Sequence, residues 1–314
     1  MKNESIKIIK TCFEFGAGKH GAGLGPDAVM TAARHMGLSF LDKIDAVELE
    51  PEETGAEDRN RFPLARHIDS IINATESNYK AVYEACRNGF TPLIFSGDHS
   101  NAIGCISGVM DAFAGKQQTG VIWVDAHLDL HSPFTTPSGN IHGMALNALL
   151  GDNNTQEQVN QPDAEILEKW ALLKSCNGRF KGAALPAENI VFIGVRDFEE
   201  QEIKLAERLG IKIYTAAQVR QNGISAIVTE TLNHLQHCDW LYVSYDVDSQ
   251  DPEISAGTGT PVENGLLTPD SQEIFDRLFP HPKTAAFEIT EINPLLDSEN
   301  RMASSVVNLL KRVM

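Results

Sequence analysis

Cysteine is sparse in this chain of 314 residues, and its placement does not suggest crosslinking: Cys12, Cys86, Cys105, Cys176 and Cys238 form no C-x-x-C pair and are odd in number. That argues against a disulfide framework or a thiolate zinc site, and the five read as small buried hydrophobes in a reducing cytoplasm. Long apolar runs are also missing. The opening MKNESIKIIK has no hydrophobic segment of the kind an export signal needs. The longest nearly apolar stretch, Ala102 to Met110, is about half of the roughly 18 residues a membrane span requires, so no membrane partner is expected. Basic charge is in deficit, with 26 Lys and Arg against 43 Asp and Glu and a net charge of −17 with histidine neutral. Phosphate-backbone binding needs clustered cations, so nucleic acid drops down the list of partners. Proline is scarce as well, at 14 residues, while 42% of the chain is hydrophobic, which is far from the composition of disordered segments.

What is present is an alternation of short apolar β-type runs with longer helical patterns, the sequence form of an α/β fold. Candidate strands are Ile6–Phe13, Pro92–Phe95, Gly120–Val124, Asn189–Gly194, Ile211–Tyr214, Trp240–Tyr245 and Thr284–Ile289. Between them lie helical stretches at Leu64–Arg87, Asn101–Ala114, Ala164–Leu173, Glu199–Leu209 and Ile224–Leu235, with apolar residues at three- and four-residue spacing. The acid-rich Glu48–Arg61 and the Asn/Gln-rich Gly151–Pro162 read as loops, too short to mark a domain boundary. The expectation is a single domain over 1–314, with a mainly parallel sheet between two helical layers.

The polar residues of interest fall at strand ends. GVIWV runs into Asp125-Ala-His127-Leu-Asp129, WLYVSY runs into Asp246-Val-Asp248-Ser-Gln-Asp251-Pro252, and PLIF ends in Ser96-Gly97-Asp98-His99. Ligands of open parallel sheets bind beyond the carboxyl ends of the strands, where these three ends can converge. In extended chain the i, i+2 spacing points each set one way. Four carboxylates and two imidazoles in one pocket resist ionisation unless cations neutralise them. Oxygen and imidazole donors without thiolate suit Mn2+ best, with Zn2+, Co2+, Ni2+ or Fe2+ as alternatives. Six ligands exceed one tetrahedral site, and bridging carboxylates favour two metals roughly 3.5–4 Å apart. Each motif alone also reads as something plainer: a capped turn at D-x-H-x-D, an Asp-Pro turn at the second, a helix N-cap at GDHS. It is their joint occurrence that points to metal.

Gly97-Asp98-His99-Ser100, Asp125-Ala-His127-Leu-Asp129 and Ser244-Tyr-Asp246-Val-Asp248, in this order, resemble the ureohydrolase (arginase and agmatinase) family. Further strings agree: Gly194-Val-Arg196-Asp197, Gly257-Thr-Gly-Thr260-Pro261 and Glu291-Ile-Asn293-Pro294. The resemblance implies an arginase-like αβα fold around a binuclear manganese centre. One metal would be held by His99, Asp125, Asp129 and Asp246 and the other by Asp125, His127, Asp246 and Asp248, with Asp125 and Asp246 bridging. The segment from His131 to Gly143 carries T-T-x-S-G-N-x-H-G, which looks like the arginase branch.

That branch implies hydrolysis of L-arginine to L-ornithine and urea by a metal-bridging hydroxide, in a trimer or hexamer. Asp129 would orient the hydroxide and take its proton, His142 would shuttle protons, and Glu291 would accept hydrogen bonds from the guanidinium. Ser138, Asn140, His131, Glu199 and Thr260 would contact substrate, since a free amino acid wants donors at its carboxylate and acceptors at its ammonium. Glu288 reads instead as support for its strand end, and Ser138-Gly-Asn140 and the Gly-Thr-Gly-Thr-Pro loop also read as plain turns. Three positions depart from the family pattern: Ser96 stands where a second glycine is common, His131 where arginases commonly have Asn, and Glu199 where an Asp receives the α-ammonium, one methylene or about 1.5 Å longer. The alternatives are another guanidino or formimino substrate, such as agmatine, a guanidino acid or N-formimidoylglutamate, and a non-catalytic metal-binding regulator.

Overall fold

Segments rich in Ile, Val, Phe and Tyr cannot bury both faces alone, and here they pair into one sheet. The computed structural model describes residues 5–50, 61–114, 118–254 and 256–314. Its strands are β1 (Ile6–Thr11), β2 (Ala46–Leu49), β3 (Thr91–Ser96), β4 (Thr119–Val124), β5 (Ile190–Val195), β6 (Lys212–Thr215), β7 (Trp240–Asp246) and β8 (Thr284–Thr290). They form an eight-stranded sheet in the order β2-β1-β3-β8-β7-β4-β5-β6. Every pairing is parallel, so the connections cross over through helices.

The period of two in the strands divides the core. Ile9, Ile94, Trp123, Phe192 and Tyr242 face a layer that includes the helices Ile68–Arg87, Ala102–Ala112 and Ala164–Lys174. Ile8, Phe95, Val124, Ile193 and Tyr245 face the opposite layer, with the helices Gly25–His35, Ile224–His234, Thr268–Leu278 and Arg301–Leu310. Coverage on both sides explains why the central strands read as continuous apolar runs. The expected three-layer α/β architecture with the site at the strand ends is the one observed, and its sheet is wholly parallel among the described residues.

The seven expected strands are all present, with ends shifted by a few residues. β2 is an addition, taking Glu48 and Leu49 from the segment read as a loop, while 51–60 of that segment lie outside the described residues. The helices Gly25–His35, Ala145–Leu150, Ala216–Asn222 and Thr268–Leu278 are further additions. Gly151–Pro162 is irregular apart from a short turn of helix at Thr155–Glu157. Cys86, Cys105, Cys176 and Cys238 are buried and Cys12 is partly so, all of them as free thiols.

Candidate metal centre and substrate pocket

Beyond β4 the chain bends but stays tied to β5 and its continuation, the Asp125 amide donating to the Ile193 carbonyl and the Arg196 amide to the Ala126 carbonyl. Ala126, Leu128 and Leu130 are wholly buried, which turns Asp125, His127 and Asp129 to the opposite side. At β7 the turn comes sooner: Asp246 is the last residue of the strand and caps a short 3-10 turn, Val247–Ser249, which buries Val247 in the core and brings Asp248 to the same pocket as Asp246. β3 ends in Gly97, where a side chain would run into the Phe13 carbonyl, and then Asp98 accepts the Ser100 and Gly16 amides and presents His99. The N-cap reading of GDHS therefore holds for Asp98, while His99 serves the site. β8 is followed by Glu291. The four central strands β3, β8, β7 and β4 thus deliver all of these groups to one end of the sheet, where a single pocket is lined by His99, His127, Asp129, Asp246, Asp248 and Glu291.

Two donor sets form there. His99 Nδ1 lies 3.1 Å from Asp125 Oδ2, 3.2 Å from Asp129 Oδ2 and 3.1 Å from Asp246 Oδ2. His127 Nδ1 lies 3.4 Å from Asp125 Oδ1 and 3.0 Å from Asp248 Oδ2. Asp125 is the member common to both, each of its oxygens turned to a different histidine. Asp246 joins the first set through Oδ2, whereas its Oδ1 accepts the Asp248 amide. Among the protein groups alone, burial and the neighbouring Asp248 and Asp125 push the Asp246 carboxyl well above the usual carboxylate range. Burial and then the Asp125 charge raise Asp129 as well. Burial opposes the imidazolium of His99, yet the surrounding carboxylates more than offset it and hold the ring pKa well above normal. Crowding of this kind calls for positive charge between the carboxylates.

The donor sets fit divalent cations. His99 Nδ1 and Asp125 Oδ2 are buried and have no hydrogen-bond partner, although they face each other within one set. Buried polar atoms are seldom left so without an ion or water to meet them. The ring of His99 is fixed from behind: it stacks on Trp123 at 3.8 Å between centroids, and its Nε2 meets Ser244 Oγ at 2.8 Å. Ser244 donates to Glu288, which also accepts from Tyr242 and Ser96. Orienting partners of this sort set the tautomer and direction of a metal-ligating histidine. Glu288 thus supports the strand ends, as expected, while its link through Ser244 to His99 has no signature in the sequence.

Glu291 and His142 sit beside these sets. Glu291 Oε1 lies 2.9 Å from His142 Nδ1 and accepts the His99 amide at 3.0 Å. Burial works against a charged His142, but the Glu291 contact prevails and lifts its pKa to about 9. Thr260 is placed on the centre itself, donating through Oγ1 to Asp248 Oδ2 at 3.1 Å. At the mouth, Ser138 is exposed and its Oγ accepts the Asn140 amide, tightening the turn that carries both residues. Gly139 between them has φ of 77°, and a side chain there would strike the Pro63 carbonyl. Opposite in chemistry is a group of acceptors, with His131 Nε2 3.0 Å from Glu199 and 3.5 Å from Glu202. Glu202 was not singled out from the sequence. It lies three residues after Glu199 in the helix Glu200–Leu209, and helical spacing back to Glu199 is the signal that could have found it. Arg196 lies behind the second set, donating to the carbonyls of Asp248, Gln250 and Val262.

Comparison with known proteins places this geometry. The Arginase family model matches residues 4–314. An arginase of Bacillus subtilis is 30% identical over 99% of this chain and 98% of its own length. An arginase of Staphylococcus aureus is 32% identical over 98% and 96%. The crystal structure of the arginase from Bacillus caldovelox superposes with a TM-score of 0.82 at 32% identity, covering 98% of this chain and 97% of that one.

Proposed function

Because the chain belongs to the arginase family of hydrolases, which act on guanidino C–N bonds, we propose that it hydrolyses L-arginine to L-ornithine and urea with two Mn2+ ions per subunit. The observation that carries the reading is the paired donor sets sharing Asp125 at the base of a pocket whose mouth holds Ser138, Asn140 and Glu199. When bound, two such cations make a water acidic enough to lose its proton near neutral pH. They would be held by His99, Asp125, Asp129 and Asp246 on one side and by Asp125, His127 and Asp248 on the other, with Asp246 close enough in the chain to assist the second.

The chain's own residues then have distinct tasks. Glu291 accepts hydrogen bonds from the guanidinium and fixes its plane beside the centre. Asp129 takes the proton of the attacking water and passes it to the leaving amine. His142, oriented through Nδ1 by Glu291, exchanges protons with solvent through Nε2. Ser138 and Asn140 receive the carboxylate at the mouth, and Glu199 the ammonium. Thr260 steadies Asp248.

The subunits assemble as a trimer or hexamer, a reading that light scattering in solution tests, and work in the cytoplasm. For the activity, urea release is measured over L-arginine, agmatine, guanidino acids and N-formimidoylglutamate, together with metal content. Arginine is expected to give the highest kcat/KM; a preference for agmatine would overturn the substrate, and no urea from any compound with metal fully loaded would favour a regulator.

A further inference from the structure

The acceptor cluster at the pocket mouth differs in kind from the two donor sets below it. His131, Glu199 and Glu202 bring their ligand atoms within 4.8 Å of one another, close enough to hold an ion. Their atoms are satisfied by the protein, however. His131 is buried, with Nδ1 3.1 Å from Thr135 Oγ1 and Nε2 3.0 Å from Glu199 Oε2. Glu202 is buried too, and its oxygens accept the amides of Leu130 at 2.9 Å and Glu199 at 3.1 Å. Neither His131 nor Glu202 has the unpartnered buried atom that marks His99 and Asp125. The cluster is a hydrogen-bonded cradle, and only Glu199, its side chain 53% exposed, is presented to a ligand.

We propose that His131 is a positioning residue for Glu199 and no contact for a substrate carboxylate, and that the pair sets the pocket for ligands with an ammonium group next to their carboxylate. The proposal rests on the reading that the pocket takes an amino acid. Both ring nitrogens of His131 are engaged, which leaves no donor for a carboxylate; that role falls to Ser138 and Asn140. Glu199 stands just before the helix Glu200–Leu209, on a long and flexible side chain. Without the imidazole its carboxylate has solvent on one side and on the other only the carboxyl of Glu202, which burial lifts to a pKa of about 8 and which is already tied to the Leu130 and Glu199 amides. The Nε2–H of His131 draws it back against the buried wall, which offsets the reach of the extra methylene. The histidine and the longer acid therefore work as a matched pair, and exchanging one without the other misplaces the acceptor.

The test uses metal-loaded protein and calorimetric binding of L-ornithine and 5-aminopentanoate, which share a carboxylate and a terminal amine but differ in the α-ammonium. The wild type is expected to prefer ornithine. His131→Asn is expected to reduce that preference about tenfold, and the double variant His131→Asn with Glu199→Asp to recover it to within about threefold. Thermal unfolding of each variant separates misplacement of the acceptor from loss of fold, and recovery in the double variant is not expected of a merely structural role. Equal binding of the two ligands by the wild type, a wild-type preference in His131→Asn, or a double variant as unselective as the single one would overturn the proposal. Urea release from arginine is scored separately: if it fails while the preference for ornithine depends on His131, the substrate reading falls and the positioning role stands.

Discussion

Asp129 and Glu291 adopt positive φ values of 51° and 64°, a region that side-chain-bearing residues enter at a cost of roughly 1–2 kcal/mol. Both belong to the pocket, where such conformations concentrate because the surroundings hold them in place. For Asp129 the hold is visible: its carbonyl accepts the amides of Leu146 and Asn147, and the turn brings its carboxylate to His99. Asparagine tolerates this conformation, so Asp129→Asn is expected to keep the wild-type unfolding temperature when both proteins are compared metal-free, while lowering kcat with metal supplied by about 10^3. Urea release and thermal unfolding check the two halves, and near-normal turnover would refute the role given to Asp129. Residues of this class are legible in sequence because they alternate with buried Ala126, Leu128 and Leu130 in one unbroken motif. The Ser244–Glu288 relay is not, because its contacts exist only once three strands have met, and Glu202 shows only through its three-residue spacing from Glu199.

At the scale of elements, what the sequence reveals follows burial. Strands covered on both faces, such as β4 and β7, show as apolar runs, whereas β2 at the sheet edge has no fully buried residue and merges into its acidic surroundings. Connections between elements are less legible still, and one of them gives a pH prediction. Glu76, on the helix Ile68–Arg87, is held by Lys80 of the same helix and by Asn177 and Arg179 beyond the helix Ala164–Lys174. The Lys80 contact first, with Asn177 and Arg179 adding to it against burial, lowers the Glu76 carboxyl to about 2. A depressed folded-state pKa stabilises the fold above the unfolded value of 4.5 and loses that effect as pH falls through about 2. Glu76→Gln is therefore expected to lower the unfolding temperature at pH 7, with the gap to wild type narrowing steadily below pH 4.5. An unchanged gap at pH 2.5 in paired thermal melts would contradict the assignment.

For the molecule as a whole, the excess of acids has a partial address: Asp125, Asp129, Asp246, Asp248, Glu199, Glu202 and Glu291 all line or underlie one pocket. Their mutual repulsion is a load on the folded state, which cations that bind only that state would relieve. At a thousandfold excess over Kd such binding contributes about 4 kcal/mol, so exhaustive chelation is expected to lower the unfolding temperature by on the order of 10 °C, restored by adding Mn2+. Calorimetry with and without chelator decides this, and coincident transitions would speak against a cation in the centre.

The strand order carries one more consequence, for how the chain becomes a protein. β8 is the last strand in the chain, yet it lies between β3 and β7 in the middle of the sheet. Until it is in place, β2-β1-β3 and β7-β4-β5-β6 are separate ribbons with bare inner edges, and His99 on one cannot meet Asp125 and Asp246 on the other. Closing contacts between residues nearly 200 positions apart, such as Phe95 with Ile289, is slow for entropic reasons. Ligand assembly is thus tied to the docking of β8, and a sheet without it can present the Asp125, His127 and Asp248 set but not the one that includes His99.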